Sequence, residues 1–343
     1  MKPLKATTVL LTLTLLLSLF SCNVKEAEAK PQVKTYYEYF DTVCAVYSYA
    51  KDDAATFSAR CAEAKAILST YHKLFDIYFE YEGVNNLRTV NRAAGKNPVR
   101  VEKELIDFLV FAKDMYELTG GEVNIAMGSV LKLWHNARET AIDFPQESYV
   151  PTEDELNEAA LHTDINSIVI DEENQTVYIT DPKTSIDVGA LGKGYATDKV
   201  AEKMISMGAT SYVLNFGGNI RALGEKPNGE GWITGITNPD KTSSESFVKR
   251  VTLKNVSCVT SGNYERFFVY EGVRYHHIID KDTLLPSRYF SSVTVLHESS
   301  AIADALSTAL FSMSYEEGKA LADSLGAKVL FVTEDFRVID ELT

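Results

Sequence analysis

The segment DVGALGKGYATD, which runs from Asp187 to Asp198, places three glycines around a single lysine. It is not a Walker A loop, because Lys193 is followed by glycine where a hydroxyl for Mg²⁺ is needed. Nor is it the dinucleotide fingerprint, because Thr197 stands where the third glycine belongs. Glycines still let an anion approach the backbone, and a helix start presents free N–H groups to negative charge. The segment is a candidate anion site, and the alternative is a glycine-rich turn with a solvated lysine.

A second candidate is the acidic residue of an almost wholly apolar helical segment, AIADALSTALF. A buried carboxylate needs a cation or several hydrogen-bond donors, because an unpaired buried charge is costly. Thr308 lies four residues after Asp304, on the same helical face, and Ser307 lies beside it. A carboxylate with hydroxyl oxygens suits Mg²⁺ better than zinc. The alternative is that Asp304 caps a neighbouring loop and Thr308 bonds back to its own helix.

Two adjacent histidines lie in the strand-like segment RYHHIIDKD. On a regular strand His276 and His277 point to opposite faces, so at most one of them is a base at a given site. Ser261, His277 and Asp280 suggest a hydrolase triad, but TSGN around Ser261 lacks the G-x-S-x-G pattern. We therefore disfavour the triad. The sequence contains no zinc motif and no nucleic-acid-binding module.

Apolar spacing predicts the elements that position these side chains. Helices are predicted over 57–75 (a stripe that includes Cys61), over 102–119, after a capping box at Thr152 and Glu155, from the glycine segment to about 207, and twice near the C-terminus. Residues 39–50 are predicted as one strand, and hairpin-connected strands fill much of the remainder. Because helices and antiparallel strands mix without regular βαβ alternation, we predict an α+β fold of mixed antiparallel sheets with flanking helices.

The composition limits the possible partners. The chain has 343 residues, of which 45% are hydrophobic and 24% charged, as in ordinary globular proteins. Its formal net charge of −14 argues against nucleic acid as an electrostatic partner. Cys44, Cys61 and Cys258 are widely spaced, so they indicate neither a zinc site nor a disulfide framework.

The N-terminus differs from the rest of the chain. Lysines precede an apolar run from Val9 to Phe20, which is too short to span a bilayer and has the length of a signal-peptide core. The run ends in LFSC, which resembles a bacterial lipobox with Cys22 as the lipidated residue. We expect a lipoprotein signal peptide over 1–21, a tether over 22–35, and a lipid anchor on the extracytoplasmic face of a bacterial membrane. The alternative is an ordinary cleaved signal with an incidental cysteine.

In their order along the chain, the segments resemble the ApbE-type FAD:protein FMN transferases. The segments that carry the resemblance are GGEVNIAMG, DVGALGKGYATD, LNFGGNIRALG, GWITGITNP, TSGNYERFF, YHHIIDKDTLLP and ADALSTALF. The resemblance covers residues 36–343 and implies one flavin transferase domain with an ApbE-like fold. It also implies Mg²⁺-dependent transfer of FMN from FAD to a Thr or Ser hydroxyl of an acceptor protein, with release of AMP.

The resemblance also implies roles for individual residues. His277 would be the base, and Lys193 would bind the FAD pyrophosphate. The implied metal ligands are Asp304, Thr308, the backbone carbonyl of Ala190 and, as an occasional ligand, Ser307. The implied FAD-binding residues are Phe40, Tyr81 (against the isoalloxazine), Glu122, Val123, Asn124, Asp187, Lys193, Glu265 and Ile278. The chain departs from the family pattern at Asn124, where many members have Asp.

The implied partners are FAD, an extracytoplasmic redox protein with a flavinylated Thr or Ser, and the membrane through the anchor, with no nucleic acid. Two other functions are compatible with the same segments. One is an FAD pyrophosphatase that gives FMN and AMP with water as acceptor. The other is a non-catalytic flavin-binding lipoprotein, which we disfavour because binding alone would not require a buried metal site.

Overall fold

The computed structural model describes residues 31–342. Cys22, the predicted signal peptide over 1–21 and most of the predicted tether lie outside the described residues. Residues 32–342 belong to one compact unit. Among residues 31–342 no helix combines the length and the apolar composition needed to cross a membrane.

The described residues form fifteen strands, and eight of these make an antiparallel sheet at the centre of this unit. The strands are β1 Gln32–Tyr39, β2 Thr42–Ser48, β3 Val99–Arg100, β4 Ile168–Asp171, β5 Thr176–Ile179, β6 Ser211–Phe216, β7 Asn219–Gly224, β8 Trp232–Thr237, β9 Phe247–Leu253, β10 Ser257–Gly262, β11 Phe267–Tyr270, β12 Val273–His276, β13 Phe290–His297, β14 Lys328–Thr333 and β15 Val338–Glu341. The large sheet has the order β1-β2-β6-β7-β10-β13-β14-β15, and three smaller sheets have the orders β3-β5-β4, β8-β9 and β11-β12.

The helices pack on this sheet and on one another. They are α1 Ala54–Phe75, α2 Leu87–Arg92, α3 Lys103–Leu118, α4 Gly128–Asp143, α5 Glu153–Ala160, α6 Gly192–Ser206, α7 Ser300–Ala309 and α8 Tyr315–Ser324. Helix α6 packs against α1 and α7, and α7 also packs on β10 and β13. Apolar side chains of α7, such as Leu306, are fully buried in the core beneath it.

Most predicted elements are confirmed. Helix α3 occupies 103–118 of the predicted 102–119, α6 ends one residue before the predicted limit, and the capping box at Thr152 and Glu155 begins α5. Cys61 is buried on α1, as its helical stripe predicts. Antiparallel sheets with flanking helices make the fold α+β, as predicted.

The prediction of one strand over 39–50 is wrong. A two-residue turn at Phe40 and Asp41 separates β1 from β2, and both residues have positive φ, 56° and 50°. Such hairpin turns usually contain glycine or asparagine, so Phe-Asp gives no turn signal. The β6–β7 turn has the expected glycines, and a Cβ on Gly217 would lie 2.6 Å from Thr42. The two turns therefore meet at one end of the sheet.

Candidate active site

Helices α6 and α7 approach each other at a point where only glycine fits. A Cβ on Gly194 would lie 2.4 Å from the Ser300 carbonyl oxygen and 2.5 Å from the Asp304 Cβ. Glycine is the residue that permits so close an approach to a neighbouring backbone. The glycine segment is thereby brought directly against Asp304.

Asp198, the last residue of the same segment, holds the start of α7. Its carboxylate accepts hydrogen bonds from the N–H groups of Ser300 (2.8 Å) and Ala301 (2.9 Å) and from the Ser299 hydroxyl (2.5 Å). A carboxylate at a helix N-terminus satisfies free donors and interacts favourably with the helix dipole. Because Asp198 lies one turn after Gly194, the two contacts together fix α6 against α7.

Asp304 is the anion at the start of α6. Its side chain is 4% exposed, and its Oδ2 accepts a hydrogen bond from the Gly194 N–H at 2.8 Å. The Lys193 Nζ lies 3.8 Å from the same oxygen. Burial raises the pKa of Asp304, and Lys193 and the Gly194 N–H oppose the rise. The Gly194 N–H, one of the free donors expected to bind an anion at the start of α6, thus already binds the Asp304 carboxylate. Any further ligand at this helix start would lie next to that carboxylate.

Three hydroxyl groups form a chain of contacts that starts at the backbone of Asp304. Ser261 Oγ, on β10, lies 2.9 Å from Ser307 Oγ and 3.4 Å from Thr308 Oγ1. Ser307 Oγ donates a hydrogen bond to the Asp304 carbonyl oxygen at 3.1 Å. The alternative for this helix is confirmed in one part and wrong in the other. Asp304 does accept from an N–H group of a neighbouring segment, but the residue that bonds back to its own helix is Ser307 and not Thr308. The disfavoured triad is not formed, since Ser261 contacts Ser307 and Thr308, His277 Nδ1 lies against the Arg266 carbonyl, and Asp280 Oδ1 accepts from backbone N–H groups of its own loop.

The donors around Asp304 fit a magnesium ion with an anionic ligand. Asp304 Oδ1 makes no hydrogen bond of ordinary geometry to the described residues. The buried Asn219 amide nitrogen makes none of ordinary geometry either, although it lies near enough to the Asp304 carboxylate to help hold the pKa of Asp304 down. Mg²⁺ takes oxygen donors and is commonly shared between a carboxylate and substrate phosphates. Within residues 31–342 no three or more His, Cys, Asp or Glu side chains come together in a way that could hold a metal ion. A metal here would depend on one carboxylate together with hydroxyl and carbonyl oxygens, such as those of Thr308 and Ala190.

The two adjacent histidines differ in their hydrogen bonds. His276 is buried, its Nδ1 accepts from the Ile278 N–H (3.3 Å), and its Nε2 donates to the Ser287 carbonyl (2.8 Å). Burial lowers the pKa of His276 to about 4, so both nitrogens of a neutral ring are engaged in structure. His277 Nδ1 lies 3.2 Å from the Arg266 carbonyl oxygen. Because a carbonyl only accepts, Nδ1 carries the proton and Nε2 keeps a free lone pair.

His277 is the histidine that is open to a substrate. Solvent reaches its side chain, whereas its neighbours His276 and Ile278 are buried, so the predicted alternation of faces is confirmed. Crowding by protein atoms and the positive charges of Arg266 and Lys193 lower the pKa of His277 below its ordinary value. A neutral imidazole close to Lys193 is suited to accept a proton.

Asp187 lies among aromatic and basic side chains that no motif identified. Burial raises the pKa of Asp187, while the Gly189 N–H and the nearby His135 and Arg266 oppose the rise. Tyr78 packs against His135 with ring centroids 5.0 Å apart, and its side chain is 46% exposed. Despite this exposure, crowding by neighbouring protein atoms and then the Asp187 charge raise the pKa of Tyr78 to about 12. Tyr78 and His135 therefore line the same part of the site as Asp187.

The Phe40 turn is joined to Tyr81 through His72 of α1. The Phe40 N–H donates to His72 Nδ1 at 3.3 Å, and His72 Nε2 lies 3.4 Å from the Tyr81 hydroxyl. That hydroxyl donates to Asp76 Oδ2 at 2.7 Å. Burial and this hydrogen bond raise the pKa of Tyr81 to about 12. Two residues predicted for the flavin side thus share one connecting histidine.

A cavity of about 460 Å³ opens beside Asn124 and Lys281. The Asn124 amide is engaged within the protein, because Nδ2 donates to the Thr163 carbonyl (2.9 Å) and Oδ1 accepts from the Ala126 N–H (2.9 Å). In this arrangement Asn124 shapes the cavity wall. Its side chain can bind a ligand only through lone pairs or protons left over from these bonds.

The other predicted FAD-binding residues differ in exposure. Glu122 forms an ion pair with Lys281 at 3.3 Å, and burial raises the pKa of Glu122 while Lys281 opposes the rise. Val123 and Ile278 are buried in the core. Glu265 is exposed in the β10–β11 connection and makes no hydrogen bond or ion pair within residues 31–342. The structure thus places Glu122 beside the cavity and leaves Glu265 on the surface.

The ApbE family model matches residues 40–331. The chain belongs to the ApbE family. It is 32% identical over 335 residues to the FAD:protein FMN transferase of Treponema pallidum, with 92% of this chain and 90% of that protein covered. It is 30% identical over 281 residues to the enzyme of the same name from Klebsiella pneumoniae, covering 80% and 84% respectively. The predicted family and the predicted class of enzyme, a transferase, are confirmed.

Solved ApbE structures share the fold. The ApbE protein of Thermotoga maritima superimposes with a TM-score of 0.79 at 26% identity, covering 91% of this chain and 97% of that one. The flavin transferase ApbE of Vibrio cholerae gives a TM-score of 0.74 at 25% identity, with the same coverage. The predicted ApbE-like fold is therefore confirmed.

Several residues of this ApbE site are visible only in three dimensions. Asp198 ends the glycine segment and Asn219 follows the glycine turn, so proximity to a motif is a signal that could have identified both. His135, Tyr78 and Arg266 belong to no motif and approach Asp187 only through folding. The individual FAD and metal assignments remain predictions.

Proposed function

We propose that this ApbE protein transfers FMN from FAD to a Thr or Ser hydroxyl of an acceptor protein, depends on Mg²⁺ and releases AMP. The observation that carries the proposal is the buried Asp304 carboxylate, which accepts a hydrogen bond from the Gly194 N–H and lies beside the Lys193 ammonium group. A buried carboxylate with a free oxygen beside a lysine suits a metal-bound pyrophosphate better than a purely structural role. The names of the relatives support FAD as the substrate.

Mg²⁺, when bound, would neutralise negative charge that develops on the pyrophosphate as its bond to AMP breaks. Asp304 and Thr308 would hold the ion, with the Ala190 carbonyl as a third donor. Lys193 would bind the pyrophosphate from the start of α6, where its charge counters the leaving phosphate. The buried Asn219 N–H group is a further donor for the same anion.

The acceptor hydroxyl would attack the phosphorus of the FMN half. A new oxygen–phosphorus bond forms, the phosphoanhydride bond to AMP breaks, and AMP leaves with that bond's electron pair. His277 Nε2 would take the hydroxyl proton, because its Nδ1 is already committed to the Arg266 carbonyl. The flavin would remain on the acceptor through a phosphoester.

The test is incubation of the full-length protein with FAD, Mg²⁺ and the membrane fraction of its source cells, followed by a denaturing gel and nucleotide chromatography. We expect a flavin-fluorescent protein band and AMP, and neither after chelation with EDTA. Free FMN and AMP without a labelled band would favour the pyrophosphatase. Intact FAD would favour the non-catalytic flavin-binding protein.

We also propose that Cys22 carries a lipid that anchors the protein outside the cytoplasm. The apolar run before Cys22 and the polar segment after it support this location. The Cys22→Ala variant should leave the membrane fraction while keeping its activity toward FAD. An unchanged membrane fraction would contradict the lipid anchor.

A further inference from the structure

The hydroxyl protons of Ser261, Ser307 and Thr308 can be assigned from their hydrogen-bond partners. Ser307 is fully buried and donates its proton to the Asp304 carbonyl at 3.1 Å. A serine hydroxyl has one proton to donate, so in the 2.9 Å contact with Ser261 it is Ser307 that accepts. Ser261 is therefore the donor in that pair.

The same count fixes the Thr308 hydroxyl. The proton of Ser261 is committed to Ser307, so in the 3.4 Å contact between Ser261 Oγ and Thr308 Oγ1 it is Thr308 that donates. Thr308 Oγ1 has no other hydrogen-bond partner within residues 31–342. Its lone pairs thus stay available, and a hydroxyl binds a cation through its lone pairs.

We infer that Ser261 is a positioning residue that takes the Thr308 proton and keeps the Thr308 oxygen ready for the metal ion. This inference rests on the proposed function, because it concerns the same metal site. It also gives Ser307 a supporting role, since the Ser307 hydroxyl already donates once and accepts once and keeps a single lone pair. Groups that orient metal ligands commonly change metal affinity by ~10- to 100-fold when removed.

The neighbouring residue of β10 provides a matched control. Thr260 points to the opposite face of the sheet, where its Oγ1 lies 2.8 Å from Thr294 Oγ1. Thr260→Val removes a hydroxyl from the same strand and breaks its contact with Thr294, but it leaves the contacts between β10 and the hydroxyls of α7 in place. Ser261→Thr keeps a hydroxyl at the positioning residue.

The experiment measures Mg²⁺ affinity of the full-length protein by calorimetry, and Mn²⁺ affinity by electron paramagnetic resonance, without any acceptor protein. We expect Ser261→Ala to weaken both affinities about tenfold with little change in Tm. Ser261→Thr should restore most of the affinity, and Thr260→Val should leave it unchanged. Equal affinities for wild type and Ser261→Ala, or equal losses for Ser261→Ala and Thr260→Val, would overturn the inference.

This outcome is separable from that of the proposed function. Wild-type protein that transfers FMN, with a Ser261→Ala variant that binds Mg²⁺ normally, would refute only the positioning role. Metal affinity that depends on Ser261, in a protein that yields no flavinylated acceptor, would refute only the transferase.

Discussion

Two ends of the candidate site are built in different ways. The helix end consists of Gly194, Asp198, Asp304 and Thr308, on two packed helices. The turn end consists of the Phe40–Asp41 turn, His72 and the segment 76–81. At the helix end, regular backbone places the side chains and the carboxylate is 4% exposed. At the turn end, side-chain hydrogen bonds hold irregular backbone.

The difference lies in what stabilises each geometry. Packed helices have few alternative arrangements. The four-residue spacing of Asp304 and Thr308 in the sequence therefore places both side chains on the same face of α7. The turn end depends on separate bonds to His72 and Asp76, and the Asp76 Oδ1 also accepts from the N–H groups of Tyr78 and Phe79 at 2.7 and 2.8 Å. We therefore expect substitutions at the helix end to affect chemistry and those at the turn end to affect mainly FAD binding.

The largest effect is expected for Asp304→Asn. The amide oxygen can still accept from the Gly194 N–H, but the charge that would hold Mg²⁺ is lost. We expect kcat for AMP release to fall ~100- to 1000-fold. Tm should be unchanged or higher, because a buried charge is removed.

Asp323→Asn is the control for Asp304→Asn. Asp323 lies on the surface of α8 and pairs with Lys319, so its loss should change neither kcat nor Tm measurably. If Asp304→Asn keeps wild-type turnover, the helix end is not the metal site.

Asp198→Ala should cause the next largest effect. It leaves the N–H groups of Ser300 and Ala301 without their carboxylate, and we expect a loss of about 2 kcal/mol in the free energy of unfolding. Asp53→Ala is the matched comparison, because Asp53 caps α1 through the Thr56 N–H alone and should cost about 1 kcal/mol. Urea denaturation measures both losses. Only Asp198→Ala should also weaken Mg²⁺ binding. If Asp198→Ala and Asp53→Ala change Mg²⁺ affinity equally, Asp198 does not support a metal site at the helix end.

The helix end was largely predictable from sequence and the turn end was not. An acid followed by a hydroxyl four residues later in an apolar helix is a local pattern, as is a glycine segment before a helix. His72 approaches Phe40 across 32 residues of chain, and Ser261 approaches Thr308 across 47. No local pattern encodes such contacts. The Phe40–Asp41 turn was missed for a related reason, because contacts elsewhere in the fold stabilise a conformation that its own residues disfavour.

His72→Ala tests the turn end directly. The variant loses the acceptor of the Phe40 N–H and the partner of the Tyr81 hydroxyl. The loss of about 1 kcal/mol of hydrogen bonding should raise KM for FAD roughly fivefold and leave kcat within about twofold. Steady-state AMP release measures both constants.

Two conservative variants separate the ends of the histidine ring. His72→Asn places an oxygen near the Nδ1 position, and His72→Gln places a polar group near Nε2. Recovery of KM by Asn alone would assign the effect to the Phe40 turn, whereas recovery by Gln alone would assign it to Tyr81. A fall in kcat equal to that of Asp304→Asn would abolish the distinction between the two ends.

The smallest effect is expected for Asp41→Gly. Asp41 has a φ of 50°, a left-handed conformation that costs a non-glycine residue free energy and glycine almost none. We expect the free energy of unfolding to rise by roughly 0.5–1 kcal/mol in urea denaturation.

Gln175→Gly sharpens this last prediction. Gln175 has a similar φ of 53° in the β4–β5 hairpin, so glycine should stabilise the protein by a comparable amount at both positions. Only Asp41→Gly also frees the backbone beside Phe40, and it should therefore make the KM for FAD less sensitive to His72→Ala. If His72→Ala raises KM equally in the Asp41→Gly and Gln175→Gly backgrounds, His72 does not act by holding the strained turn. If His72→Ala raises KM less in the Asp41→Gly background alone, the hydrogen bond from the Phe40 N–H to His72 acts on FAD binding by holding the strained turn in place.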